Sequence, residues 1–422
     1  AAGVRVASPT PLYDGTLKAS AGCLGGQTTY RGDTAGNQAW LLYQFDTTAT
    51  DASWQFRINM SSDTSAERSG MAVDDARVRY FVSPAPTVTA DPAQTIERLW
   101  TEPFNWSPKG TVSASDDVVI DGMFGAPTIV PLLNAAGDCL SLKVGDSAAS
   151  TLDLTGSFNL TVGGALTIGT SGTIDGTGDT STLFVAGGWS RNGSGTFTAG
   201  ATTVELNGSG TLSQLVSGTM TGANAFNGLR VNRTSGSGGV SLEANLAATG
   251  AFTMPAANVA TLNFVGSSSL TMTVTGAATL SGGTLTMDTS GASQDLLDLN
   301  GGLSLGGSFS MTTSVTGGEI RVAGAWSDSG TTGTIDPTGG TITLDPAGAG
   351  TYSIDTKVST RFNHLTLNGG VNGAIFNPEL GLLVDGNMTV SGGTFSFDDT
   401  VGTTQATLTH TVSGSFTQSG GL

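Results

Sequence analysis

The sequence predicts an all-β protein: a right-handed parallel β-solenoid (β-helix) preceded by a small N-terminal β-sandwich-like domain. Three observations predict it. The chain has 63 glycines among 422 residues, only 12% of its residues are charged, and strand-turn-strand units recur along most of its length. This composition is typical of many short strands joined by tight turns. Hydrophobic residues make up 38% of the chain, which is enough for a core and argues against disorder.

The clearest repeat is a short strand, a glycine turn and another short strand. It occurs at 162–174, again at 274–285, and again at 384–395. A longer repeat overlies it, in which four segments return later in the chain in the same order. Residues 185–190 return at 322–327, 203–206 at 341–344, 226–232 at 362–368, and 246–254 at 382–390. Related units recur about every 22–28 residues between these landmarks, a period typical of stacked repeats.

These repeats predict that residues 138–422 form the solenoid. We expect one strand-turn-strand unit to form one coil that hydrogen-bonds to the coils on either side. Inward Val, Leu, Ile and Phe side chains then form apolar ladders. Gly and Asn are expected at corners where the backbone needs positive φ. We therefore expect the glycines to allow the backbone to turn at the corners and not to bind phosphate.

Residues 1–83 are denser in arginine and aromatic residues than the rest. Alternating runs at 40–45, 54–58 and 76–81 predict strands with one face on a core. Over about 40 residues the segment resembles carbohydrate-binding jelly rolls, with 73–78 as the closing strand. The resemblance implies a jelly-roll-like domain, whole or incomplete. If the domain binds a glycan, the candidate stacking residues are Trp40, Tyr43 and Trp54, although the alternation favours core packing for at least some of these rings.

Prolines at 84, 86 and 92 predict an extended linker over 84–99. Residues 100–137 then hold an aromatic cap and the first strands. An open solenoid end exposes an apolar cross-section and unpaired strand edges. We expect Trp100, Phe104 and Trp106 to cover that end. The alternative for these rings is a sugar-binding platform.

The cap segment, Trp100 to Pro108 followed by Ser115 to Gly122, resembles the opening of β-solenoid regions in bacterial secreted and autotransporter-like surface proteins. In that family a Trp-Asn-Trp-Ser element precedes a Ser-x-Asp-Asp-Val-x-Ile strand, and this chain has Phe-Asn-Trp-Ser at 104–107. The resemblance implies a secreted protein at the cell surface or outside the cell. It does not identify a ligand.

The formal net charge is −17, from 33 acidic and 16 basic residues. Such a surface repels phosphate backbones and anionic lipids, so we expect no nucleic-acid partner. No apolar run approaches the roughly 20 residues of a membrane helix, so we expect no membrane insertion. The expected partners are further copies of the chain, in an oligomer or filament, and surface glycans.

Two cysteines, Cys23 and Cys139, leave two readings open: a disulfide between them or two buried thiols. We expect no cofactor other than calcium, which prefers several oxygen ligands. Its candidate ligands are adjacent carboxylates in turn-like settings: Asp74 and Asp75, Asp116 and Asp117, and Asp398 and Asp399. Turn capping is the favoured role for these pairs.

Catalytic residue types are scarce. His364 and His410 are the only histidines, and neither accompanies a nucleophile motif. Asp295 and Asp298 are the nearest approach to a carboxylate pair, and a solvated turn explains them equally well. We therefore expect no enzyme.

The favoured function is structural, as a subunit of a cell-surface or extracellular filament or appendage. Two alternatives remain open. One is an adhesin or carbohydrate-binding surface module, and the other is a polysaccharide-cleaving β-helix enzyme.

Overall fold

A computed structural model describes residues 99–107, 110–121, 131–265, 269–287, 294–311, 318–328, 330–370, 373–397 and 408–419, and the backbone of short strands at 15–16, 28–29 and 87–90. The chain forms two compact units, Ala1–Tyr80 and Phe81–Leu422. In the first unit, strands Gly15–Thr16 and Thr28–Thr29 pair antiparallel. The predicted jelly roll, with Trp40, Tyr43, Trp54, Asp74, Asp75 and Cys23, lies outside the described residues.

The second unit confirms the predicted parallel β-solenoid, which has about 11 turns. Each coil crosses three faces, with a strand on most of them, where the sequence had indicated two strands. A strand-turn-strand unit therefore covers two of three faces, which the chain visits in a fixed order that we call face 1, face 2 and face 3. The right-handed sense of the coil stays a prediction.

Face 1 begins with a ten-stranded sheet and ends with a three-stranded one. In spatial order the ten strands are Trp106–Ser107, Thr87–Ala90, Asp117–Ile120, Ser141–Val144, Leu166–Ile168, Trp189–Arg191, Gln214–Ser217, Val240–Leu242, Thr261–Phe264 and Thr284–Thr286. The three later strands are Arg361–Phe362, Leu383–Val384 and Thr411–Val412. Only the pairing of the first two strands, at Thr89 and Ser107, is antiparallel among the pairs of this face.

Face 2 begins with a three-stranded sheet and continues as an eight-stranded one. The first strands are Ser150–Asp153, Gly172–Asp175 and Thr196–Thr198. The later strands are Leu246–Ala248, Thr271–Val274, Leu296–Leu299, Glu319–Val322, Thr341–Leu344, His364–Asn368, Met388–Gly392 and Phe416–Gln418. A 3-10 turn at Gly222–Asn224 lies between the two sheets. The described residues include one further short helix, Pro103–Asn105.

Face 3 is one twelve-stranded parallel sheet. Its strands are Gly137–Cys139, Leu160–Val162, Thr182–Val185, Thr203–Leu206, Gly228–Val231, Phe252–Met254, Ala278–Leu280, Leu303–Leu305, Trp326–Ser327, Gly350–Asp355, Ala374–Pro378 and Thr394–Phe395.

Alternation along these strands places one set of side chains inside the coil and the other in solvent. On face 2, Met272 pairs with Leu297 and Leu297 with Ile320, so apolar side chains stack in register from coil to coil. These ladders join into one hydrophobic core that extends from Trp100 to Val390. The core is therefore shared by all the coils and not divided among separate modules.

Asparagine and aspartate hold the corners by hydrogen bonding. Asn258 Oδ1 accepts the backbone N–H of Arg233 at 3.0 Å, and Asn245 Oδ1 accepts that of Thr271 at 2.9 Å. The expected positive φ of corner asparagines is wrong. Among the described residues, positive φ occurs at glycines and at Ser157 alone of the other types. The amide side chain bridges two coils where the backbone ladder is interrupted, which needs no left-handed backbone.

The segment 84–99, predicted as a linker, contains a strand of the solenoid. Thr87–Ala90 pairs in parallel with Asp117–Ile120, which pairs in turn with Ser141–Val144. Its Thr-Val-Thr-Ala sequence favours a strand, and the neighbouring prolines lie outside the paired residues. Coil pairing therefore starts before residue 138.

Candidate functional site

The cap at the start of the solenoid is built on two tryptophans. Trp100 and Trp106 are 3% and 1% exposed, and their rings meet edge to face with centroids 5.1 Å apart. Trp106 Nε1 donates to the Trp100 carbonyl oxygen at 2.9 Å. A sugar-stacking ring must present a face to solvent, and neither of these rings does. The side chain of Phe104 lies outside the described residues.

Trp100 also closes the edge of face 3. A methyl group on Gly137 would lie 2.9 Å from Trp100 Nε1 and 2.9 Å from Leu133 Cδ1. Only a glycine at position 137 leaves room for the indole at that depth. Among the strands of the face, Gly137–Cys139 is the first, so Trp100 covers the point where the core would otherwise open.

The carboxylates of Asp116 and Asp117 are engaged within the fold. Asp116 Oδ2 accepts the backbone N–H and the hydroxyl of Ser113, both at 2.8 Å. Asp117 Oδ1 accepts the hydroxyl of Ser141 on the next coil. Turn and inter-coil hydrogen bonding thus accounts for these oxygens. Asp398 and Asp399 lie outside the described residues.

Cys139 is a buried free thiol at the end of the first strand of face 3. Burial raises the pKa of this thiol to about 12, with a smaller contribution from Asp138. Such a group is neutral at physiological pH and is a poor nucleophile. Because Cys23 is outside the described residues, pairing of the two cysteines stays a prediction.

The two histidines have structural contacts. His364 lies on an outer position of face 2, and its Nδ1 accepts the backbone N–H of Asn387 at 2.9 Å. His410 Nδ1 accepts the backbone N–H of Leu382 at 3.1 Å. Its ring meets that of Phe395 at 5.2 Å, and burial lowers its pKa. The two rings bind strands of successive coils together.

Asp295 and Asp298 do not form a carboxylate pair. Asp295 is 3% exposed at a corner, where its Oδ1 accepts the backbone N–H of Leu270 at 2.9 Å. Asp298 lies within a strand of face 2, at an outer position between Thr273 and Arg321 of the adjacent coils. The solvated turn expected for these residues is therefore wrong. Within the described residues, no three His, Cys, Asp or Glu side chains gather into a metal-binding group.

Three buried charged groups at corners were not predicted from the sequence. Arg233 is 1% exposed, and its Nη2 donates to the Gly210 carbonyl oxygen at 2.7 Å. Asp179 and Asp328 are both 0% exposed. All three lie at corners, where the sequence shows Gly, Ser and Thr and reads as solvated turn. For the two aspartates, the only signal in the sequence was their short distance from the next strand. That signal is too weak to distinguish a buried corner from an exposed one.

Comparison with known proteins finds no family model that matches the chain, and no curated protein or solved structure that matches it significantly. Within the described residues there is no helix with the length and apolarity that crossing a bilayer requires.

Proposed function

We propose that this chain is a structural extracellular protein, a subunit of a cell-surface or extracellular filament or appendage. The observation that carries the proposal is the single hydrophobic core between Trp100 and Val390. Each coil buries its inner side chains against the next, so bending or separating coils exposes apolar surface. Length and stiffness are the properties that such a rod offers.

The outer wall of the rod supports the same role. On face 3, four successive outer positions carry small hydroxyl side chains: Thr253, Thr279, Ser304 and Ser327. They are half-buried or exposed and uncharged. Short side chains on paired strands give a protease few extended, accessible segments. The resemblance of the cap segment to surface proteins supports a location outside the cell.

The ends of the solenoid differ. At the start of face 1, the antiparallel strand Trp106–Ser107 lies outside Thr87–Ala90. At the other end, among the described residues, Phe416–Gln418 has a neighbour on one side only. Phe416 continues the ladder through Met388, yet it is 47% exposed. Strand edges can accept a strand of a second copy, and we expect assembly to pair the edges of neighbouring copies with the exposed Phe416 side chain packed in the contact.

Negative-stain electron microscopy of the purified chain, at several concentrations and with and without calcium, tests this function. Regular fibres that lengthen with concentration are the expected result. About 11 turns at about 4.8 Å each give a solenoid about 50 Å long, which sets the minimum subunit repeat. Monomeric, dispersed particles at every concentration contradict a filament role.

A substitution at Phe416 sharpens the test. Phe416→Asp replaces an exposed apolar side chain at the edge of the strand Phe416–Gln418 with a charge, and it should shorten or abolish fibres. Val358→Asp is the matched control, because Val358 is 82% exposed at a corner away from that edge. Equal fibre loss in both variants indicates a nonspecific effect of charge and contradicts assembly through this edge.

A further inference from the structure

We propose that the corner between strands Gly172–Asp175 and Thr182–Val185 binds a calcium ion through Asp179. Asp179 is 0% exposed. Its Oδ2 accepts two hydroxyls, from Thr202 at 2.9 Å and from Ser181. Its Oδ1 is equally buried and has no hydrogen-bond partner among the described residues.

Within the ranges that the structure describes, Asp179 lacks the ion pair that the buried Glu205 has. Glu205, 6% exposed, lies 3.4 Å from Arg230 Nε and accepts the Asn232 amide at 2.7 Å. No cationic side chain forms an ion pair with Asp179 in the described part of the chain. A buried carboxylate with one oxygen that accepts no hydrogen bond, and with no paired cation, is costly, and a bound cation removes that cost.

The same corner is rich in neutral oxygens. A methyl group on Gly176 would lie 2.8 Å from the Ala199 carbonyl oxygen, 2.9 Å from Thr202 Oγ1 and 3.0 Å from the Thr198 carbonyl oxygen. Thr202 Oγ1 belongs to both sets, since it also donates to Asp179. Carboxylate, carbonyl and hydroxyl oxygens are the ligands that calcium prefers. The corner therefore holds a group of neutral oxygens that is linked through Thr202 Oγ1 to the carboxylate whose Oδ1 has no hydrogen-bond partner in the described part of the chain.

An ion has a short path from solvent to Asp179. Thr177, Gly178 and Thr180 are exposed on either side of the buried Asp179, and the space beside the α-carbon of Gly178 is open. One carboxylate gives less affinity than the several of a calcium-sensor loop. We therefore expect a dissociation constant of about 10⁻⁴–10⁻³ M, the range of extracellular calcium modules.

The test is calcium binding to the EDTA-treated, full-length chain by equilibrium dialysis, together with thermal unfolding in increasing CaCl₂. Matched choline chloride separates binding from ionic strength. We expect one calcium to be lost in Asp179→Asn and the calcium-dependent rise in unfolding temperature to disappear. Asp175→Asn is the control, because Asp175 caps Thr177 at the surface nearby and should keep both responses.

Three results overturn the proposal. The first is wild-type protein that binds no calcium and does not respond to it. The second is calcium binding that persists unchanged in Asp179→Asn, which locates the ion elsewhere. The third is stabilisation equal to that of choline chloride. The wild-type titration decides alone if Asp179→Asn does not fold.

Discussion

Trp189 and Phe226 meet edge to face, with ring centroids 5.0 Å apart and planes at 85°. The same contact recurs between Trp326 and Phe362, at 5.4 Å and 67°. All four side chains belong to the single core. Matching positions of the longer sequence repeat therefore make matching contacts.

The two copies of this contact lie on different faces. Trp189 is on face 1, whereas Trp326 is on face 3. In the same way Thr203–Leu206 is on face 3 and its copy Thr341–Leu344 is on face 2. A segment and its copy are therefore separated along the chain by five full coils plus two more faces. Because a repeated segment keeps its contacts after this rotation, the three faces offer nearly equivalent environments.

The two aromatic pairs should contribute to stability independently. Replacing Phe226 or Phe362 with Leu removes an edge-to-face contact worth about 0.5–1.5 kcal/mol beyond area burial. Double-mutant cycles by denaturant unfolding should show coupling of that size within Trp189–Phe226 and within Trp326–Phe362. Phe226→Leu and Phe362→Leu should be additive, because several coils separate them. Strong coupling between these two changes contradicts independent pairs.

Much of the solenoid was accessible from sequence because its strands alternate. The unit at 162–174 contains the strand Leu166–Ile168 in full and all but the last residue of Gly172–Asp175, and it begins at the last residue of Leu160–Val162. The glycine turns marked the corners, and the apolar positions marked the ladders.

The number of faces and the rotation of the repeat were not accessible, because corner length varies. Face 3 connects to face 1 through residues 163–165 in one coil and through 207–213 in a later one. When the sequence period varies by several residues, the sequence does not show which face of the coil a given strand occupies. Buried corner charges such as Asp179 and Arg233 depend on contacts between coils, which a local pattern does not report.

Alanine substitutions at two corner glycines should distinguish the cost of a steric clash from the cost of a strained backbone. Gly200 has φ of 57°, and a methyl group there would lie 1.8 Å from the Gly176 carbonyl oxygen. Gly178 has φ of 75°, but its methyl position is open. Gly178→Ala should cost about 1–2 kcal/mol from the left-handed backbone alone. Gly200→Ala should cost about 1–3 kcal/mol more, from overpacking. Equal unfolding free energies for the two variants argue against the close approach of these coils.

Cys139 should be inert until the chain unfolds. Its pKa of about 12, against an ordinary 9.0, leaves roughly a thousandfold less thiolate at a given pH. A Cys23→Ser variant, in which Cys139 is the remaining thiol, should react with Ellman's reagent slowly when native and rapidly in urea. Cys23→Ser/Cys139→Ala supplies the blank. Rapid labelling of the native protein at pH 8 contradicts a buried, neutral thiol.

Asp328 should make folding less favourable as pH rises. Its side chain is 0% exposed, and burial raises its pKa, although hydrogen bonds from Thr360 and the Lys357 backbone oppose the rise. A raised folded-state pKa means that the native protein holds this proton more tightly than the unfolded chain does. The free energy of unfolding therefore falls as pH increases from about 3.9, the unfolded pKa, through the folded pKa, and then levels off.

Asp328→Asn isolates this effect. The Asn variant has no proton to release, so the wild type should lose stability relative to it between acidic and neutral pH, by about 1.4 kcal/mol per unit of pKa difference. Asp385→Asn is the control of opposite sign, because the hydrogen bond from Arg361 lowers the pKa of Asp385. That carboxylate stabilises the fold above its unfolded pKa and loses its contribution as pH falls through the folded value. Urea unfolding from pH 3.5 to 7.5 measures both differences. Parallel pH profiles for wild type and Asp328→Asn would show that Asp328 is not held protonated by burial.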